Sequence, residues 1–240
     1  MVIASSIAAG LSASARADVH AASADSGVSG AVRLSDERSE TRWAYPLRRA
    51  RVRSAPSATA RTVTRLRLLT EDRFPEVYLL LERRQDARGA AWIRVRLPMR
   101  PNGRTGWVPA DALGDPNVVR TLIDVDRRRL RLTLSDRGRV VFRARIGVGK
   151  PGTITPAGRF YVREKFRVTG APMYGTHAIG TSAYAPTLSD WPGGGVVGLH
   201  GTDQPELIPG RPSSGCIRLR NRDIARLYRL VPRGTPIRIR

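Results

Sequence analysis

The chain has 240 residues, an ordinary apolar fraction and a formal net charge of +22, and all but two of its basic residues are arginines. Length and apolar content suit one large or two small globular domains, and no apolar run approaches the roughly 18 residues a membrane-spanning helix needs. The charge points to acidic partners, either nucleic acid or an anionic wall polymer. Zinc-finger spacing, an aromatic-rich RNA-binding signature and a homeodomain-like pattern are all missing, which argues against nucleic acid.

Residues 1–17 are small and apolar and end in Ala15-Arg16-Ala17, an A-x-A pattern that predicts a cleaved leader and export. Residues 18–44 are polar and rich in Gly and Ser, which predicts a linker. Over 45–114 the pattern is one of short strands. In "WIRVRL", Ile93, Val95 and Leu97 alternate with Arg94 and Arg96, the period of a half-buried strand. Pro101-Asn102-Gly103 marks a turn, and "RTGWVPADAL" reads as a short strand ending in another. A small β-barrel is expected here. The segments "ARVRSAPSATARTVTRL" and "GRTGWVPADAL" resemble the opening and close of the bacterial Src-homology-3-like module. The stretch "LLTEDRFPEVYLLLERRQDARGA" between them is longer than that compact module needs.

"DPNVV" marks a boundary, and a second, mainly β unit follows over 119–240. Leu130, Leu132 and Leu134 alternate with Arg131 and Thr133. Asp136-Arg137-Gly138 turns the chain, and Val140, Phe142, Ala144, Ile146 and Val148 alternate on the return. "GVVGLHG" reads as a buried strand that delivers His200 to its end. One short helix is expected from Arg222 to Val231 with Asn221 as N-cap, then a last strand, "TPIRIR". Arg222, Arg226 and Arg229 occupy its solvent face, opposite Ile224, Leu227 and Val231.

The chemistry centres on "GRPSSGCIRLRN", which holds the single cysteine, Cys216. A lone cysteine is ordinarily a buried, inert hydrophobe. Here it follows a turn-prone Ser213-Ser214-Gly215 run, in a chain with no second thiol for an internal disulfide. A glycine before it lets backbone N–H groups converge near the sulfur, as an oxyanion hole requires. A nucleophilic thiol needs a base, since the thiolate is the reactive form. There are three histidines. His20 falls in the leader or linker, His177 lies in "MYGTHAIG", and His200 stands at a strand end beside a glycine.

"GLHGTD" followed by "SSGCIRL", with "TITPAGRFYV" upstream, resembles the YkuD-type L,D-transpeptidases, and the likeness covers about 119–240. The resemblance implies a β-sandwich or barrel-like catalytic domain with one short C-terminal helix, preceded here by the small β-barrel. It implies Cys216 as nucleophile and His200 as its base, the latter oriented by a backbone carbonyl, which suggests Gly201. The amides of Gly215 and Cys216, with Ser214 adjacent, would form the oxyanion hole. Arg218 would hold a substrate carboxylate, a task suited to a guanidinium. Tyr174 and Trp191 are candidates to line the groove, in a stretch expected to run over the site as a lid or substrate wall. The family most often carries histidine where this chain has Ser214, so thiolate tuning departs from the usual pattern.

The implied activity joins peptidoglycan stem peptides between their third residues through a thioester, with release of D-alanine, in the periplasm or cell wall. The resemblance also implies inactivation by carbapenems, and no metal or other cofactor. Two rival readings remain: an L,D-carboxypeptidase with the same site, and a non-catalytic basic wall-binding protein.

Overall fold

The computed structural model describes residues 30–188 and 194–240. The leader, His20 and Trp191 lie outside the described residues. Among the described residues no helix is long and apolar enough to cross a membrane.

Eight short strands come first: β1 (Val32–Arg33), β2 (Thr41–Ala44), β3 (Arg51–Arg53), β4 (Thr62–Arg65), β5 (Tyr78–Gln85), β6 (Ala91–Arg96), β7 (Thr105–Pro109) and β8 (Asn117–Val119). They form one sheet in the order β4-β3-β7-β6-β5-β2-β8, with β1 paired to β5. Its core gathers the apolar positions of the alternating runs, among them Val52, Leu80, Val95 and Val108. The linker expected over 18–44 does not extend through 30–44. Thr41, Trp43 and Ala44 are buried, and β2 pairs with both β5 and β8. The polar composition that suggests a linker belongs here to a sheet with one solvated face.

Ten strands follow: β9 (Thr121–Asp126), β10 (Arg131–Asp136), β11 (Arg139–Arg145), β12 (Gly147–Gly149), β13 (Gly158–Arg167), β14 (His177–Tyr184), β15 (Val196–His200), β16 (Gly210–Ser213), β17 (Ile217–Arg218) and β18 (Pro236–Ile239). Their order is β11-β10-β9-β18-β13-β14-β15-β17-β12-β16. Only Arg120 separates β8 from β9, so the two sheets meet without a spacer. In the β10–β11 hairpin Arg137 and Gly138 both have positive φ, the two-residue turn whose twist matches the strands. Val140, expected inward, is exposed instead. A bulge between Leu134 and Ser135 pairs Val140 with Ser135 and Phe142 with Leu134, which leaves Val140 and Val141 both outside.

The helix α1 (Asn221–Leu230) buries Ile224 and Leu227 against β14 and β15. Its N-cap is Arg220, and Asn221 is already helical with its side chain turned elsewhere. The described part of the stretch between the motifs walls the groove: His177–Tyr184 is β14, a central strand buried from Ala178 onward, and Tyr174, Ala185, Leu188 and Gly195 line the groove from outside the strands.

The two sheets are joined through a polar cluster and an apolar one. Arg163 of β13 and Glu76, both wholly buried, make a bidentate ion pair, and Arg163 also reaches Glu71 at 2.9 Å. Trp43, Val77, Leu79, Val119 and Tyr161 pack beside it, and the Tyr161 hydroxyl donates to the Val77 carbonyl at 3.0 Å. Glu71 and Glu76 belong to the stretch that is too long for a compact module, so its extra length is the part that grips the second sheet.

Candidate active site

Three segments converge on Cys216. The first is its own turn. The Ser213 hydroxyl donates to the Cys216 carbonyl at 2.6 Å and accepts the Gly215 amide at 3.2 Å. Gly215 has φ +126, a conformation strained for any residue with a Cβ. The second is the Thr-Pro segment. Thr155 donates to the Gly215 carbonyl at 2.8 Å and accepts the Gly149 amide at 2.9 Å, which ties the thiol turn to β12. The third is β15, whose Gly198 amide points at the Cys216 sulfur, 3.5 Å away. The Gly215 amide is thus engaged by Ser213 and is not a free oxyanion donor, contrary to the expectation from sequence. Ser214 is exposed on the groove.

His200 ends β15 and pairs in parallel register with Arg218 of β17. Its Nδ1 lies 2.6 Å from the Gly201 carbonyl. A carbonyl only accepts, so Nδ1 carries the proton and Nε2 is the basic nitrogen. The loop bearing that carbonyl is held by Asn221, the residue expected to cap the helix. Asn221 Oδ1 accepts the Thr202 amide at 3.1 Å, and a Cβ on Gly201 would overlap that oxygen. No periodic or motif signal marks Asn221, because its partner lies across a loop rather than along its own helix. The ring of Tyr174 stands edge-on to His200, with centroids 4.9 Å apart.

Burial governs the protonation of both groups. It depresses His200 to about 4, with the Gly201 bond opposing and the Arg218 charge adding to the effect. It raises the Cys216 thiol, against smaller opposing effects from the Gly198 amide and Arg218. At neutral pH the resting pair is therefore a thiol and a neutral imidazole.

The pair is reached from two sides. A small cavity of about 60 Å³ is lined by Tyr174, Ala185, Ser214 and Arg218 together with Cys216 and His200. A larger one of about 410 Å³ reaches the same two residues past Gly198, Ile179, Phe166 and Glu164. Arg218 faces the small cavity, where its Nε is buried without a partner among the described residues and its Nη1 lies 3.4 Å from Gln204. The structure does not bring His177 to the thiol. Its ring packs on Tyr228 with centroids 4.7 Å apart, and its Nδ1 meets the Thr176 hydroxyl. Among the described residues no group of His, Cys, Asp or Glu side chains is placed to hold a metal ion.

The arrangement can support acyl transfer through a thiol, and comparison with known proteins places the chain in a family. A family model described as the L,D-transpeptidase catalytic domain, YkuD, matches residues 120–239. The chain belongs to the YkuD family. The Bacillus subtilis protein YkuD, which carries an L,D-transpeptidase name, is 37% identical over 127 residues, covering 53% of this chain and 70% of that one. A Bacillus licheniformis namesake is 34% identical over 125 residues, covering 52% of this chain and 68% of the relative. Among solved structures, an Enterococcus faecium L,D-transpeptidase aligns with 29% identity over 50% of this chain and 49% of that chain, at a TM-score of 0.40. The YkuD match starts at the junction of the two sheets, so the first sheet lies outside it.

Proposed function

We propose that this YkuD-family chain is a peptidoglycan L,D-transpeptidase working through a cysteine acyl-enzyme. The observation that carries the reading is that a Gly198-bonded thiol and an imidazole whose Nδ1 is tied to the Gly201 carbonyl line the same two cavities.

The donor is a stem tetrapeptide. Cys216 attacks the carbonyl of its third residue, and His200 Nε2 takes the thiol proton as the S–C bond forms. The Gly198 amide favours the developing thiolate and the Gly201 carbonyl the developing imidazolium. The Cys216 amide serves the oxyanion, while Ser213 and Gly215 keep the turn in shape. The C–N bond to D-alanine then breaks, and the proton passes from His200 to the leaving amine. A side-chain amine of a second stem attacks the thioester. The new C–N bond forms, the C–S bond breaks, and the amine proton returns through His200 to the sulfur. Arg218, with its unpartnered Nε, takes a donor carboxylate in the small cavity. Tyr174 walls both approaches. The substrate sets the place of work outside the cytoplasmic membrane, where the arginine-rich surface meets anionic wall polymers.

Two approaches to one thiol favour transfer to an amine over hydrolysis, since donor and acceptor then have separate access. The test is incubation of the protein, and of Cys216→Ala, with disaccharide-tetrapeptide, read by mass. A cross-linked dimer lacking one alanine, absent with the variant, supports the reading. Tripeptide monomer alone makes the protein a carboxypeptidase. No product from either protein leaves a basic wall-binding protein.

A further inference from the structure

The larger cavity contains a carboxylate that the reaction above does not use. Glu164 of β13 is 1% exposed and lines the cavity that ends at Cys216 and His200. Its neighbour Arg163 is committed to Glu76 and Glu71. Among the described residues no Lys or Arg nitrogen forms an ion pair with Glu164. Its Oε2 accepts the Thr70 hydroxyl, and its carboxyl is hydrogen-bonded to that of Asp72. A buried acid without a cation is expensive to keep ionised. Burial pushes Glu164 up to about 7, with the Thr70 bond opposing and the nearby Asp72 carboxylate adding to the rise. Asp72 is exposed, lines the same cavity and comes from the first sheet's long loop. Two acids from different sheets thus converge in one cavity of a chain with net charge +22, against the sign of the molecule as a whole. The cation present in that wall, Arg167, is exposed.

We propose that Glu164, assisted by Asp72, binds the side-chain ammonium of the acceptor diamino acid in the cavity leading to Cys216. The assignment rests on reading that cavity as the acceptor side of the transpeptidase. A cation there supplies the counter-charge that the Glu164–Asp72 pair lacks among the described residues, and Arg167 is the matching group for the carboxylate of the same amino acid. The first sheet then contributes a side chain to substrate recognition, beyond packing against the catalytic sheet.

Calorimetric titration of the full chain carrying Cys216→Ala with the tripeptide L-Ala-D-Glu-L-Lys tests this. Adding Glu164→Gln is expected to weaken binding at least tenfold, and adding Asp72→Asn to weaken it by a smaller factor. Acetylating the lysine amine should weaken binding to the parent by the same tenfold and change nothing for the Gln variant. Equal affinity of parent and Gln variant, or no binding of the free amine by the parent, overturns the assignment. Melting curves check the fold of the Gln variant; if it is unfolded, the exposed-loop change Asp72→Asn decides, and an unchanged affinity there sinks the proposal. Because the protein titrated has no thiol, binding is read apart from turnover. A chain that binds the amine yet, with its thiol intact, forms no cross-link breaks the transpeptidase reading and leaves Glu164 as an ammonium-binding group only.

Discussion

The polar cluster between the sheets and the thiol–imidazole pair meet the cost of burial in opposite ways. Arg163, Glu76 and Glu71 form a buried set of ion pairs, each group within ion-pair distance of an opposite one. Glu71 is held down at about 2: burial alone would raise it, but Arg163, the Tyr184 hydroxyl and Arg67 outweigh that. Cys216 and His200 carry no charge at rest. The first cluster has nothing left to exchange and serves as a joint. The second holds its proton on the thiol at rest, with the Gly198 amide beside the sulfur and the Gly201 carbonyl on the imidazole ready for the charged forms. Buried compensated charge fixes geometry, whereas buried neutral acid and base next to each other keep a reaction in reserve.

The largest expected effect separates the two clusters outright. Cys216→Ala should abolish acylation, read as no gain in intact mass with a carbapenem, while leaving the melting curve in place. A carbapenem that leaves the parent mass unchanged as well would sink the acyl-enzyme. His200→Ala should slow acylation by on the order of 10²–10⁴, the usual contribution of a positioned base.

Breaking the joint should act on stability instead. Arg163→Met leaves buried Glu76 with only Arg67, 3.7 Å away, as counter-charge, at a cost of up to about 3–5 kcal/mol by urea unfolding, and Arg163→Met with Glu76→Leu should recover much of that loss. A single variant within about 1 kcal/mol of the parent would show that the joint is not compensated charge at all.

The pH profile sharpens the contrast. His200 is depressed to about 4, so its neutral, basic form prevails above that value and is lost as pH falls through it. Acylation should therefore show no inflection near the ordinary imidazole value of about 6.5 and should fall off only toward pH 4. The raised Cys216 thiol predicts that alkylation by iodoacetamide still climbs with pH at about 9, past the free-cysteine value. A plateau reached below pH 7 would instead mean a preformed ion pair.

The smallest effect concerns the support of the base. Asn221→Ala removes the acceptor for the Thr202 amide and should cost about 1 kcal/mol of stability with a modest drop in acylation rate. Gly201→Ala should be far more damaging, and the Asn221→Ala background should relieve part of it, because the overlap is with the Asn221 oxygen. Additive losses in that pair would break the account of how the carbonyl is held.

Local patterns along the chain carry much of the fold. Period-two runs and turn residues act over a few positions, so β10, β11, β15 and the hairpin turn at Arg137-Gly138 are legible in the sequence directly. The order of the Thr-Pro segment, His200 and Cys216 carries the family and the two reactive groups. Where the sequence misleads, the deciding contact is distant in the chain or depends on the folded turn. Asn221 has the position and chemistry of a cap, yet it bonds across to Thr202. The Gly215 amide is free by sequence, but the folded turn brings the Ser213 hydroxyl onto it. The 68–90 stretch is merely too long by sequence, and one reason, the grip on Arg163 and the approach of Asp72 to the cavity, lies some ninety residues away in β13. Sequence by itself determined the strands with clean period-two runs, their tight turns and the candidate reactive groups, since those follow from backbone preferences and side-chain chemistry. Only the tertiary structure decided which amide meets the sulfur, which carboxylates are compensated and which one is left facing the groove. Burial and long-range pairing set those outcomes, and neither leaves a periodic trace along the chain.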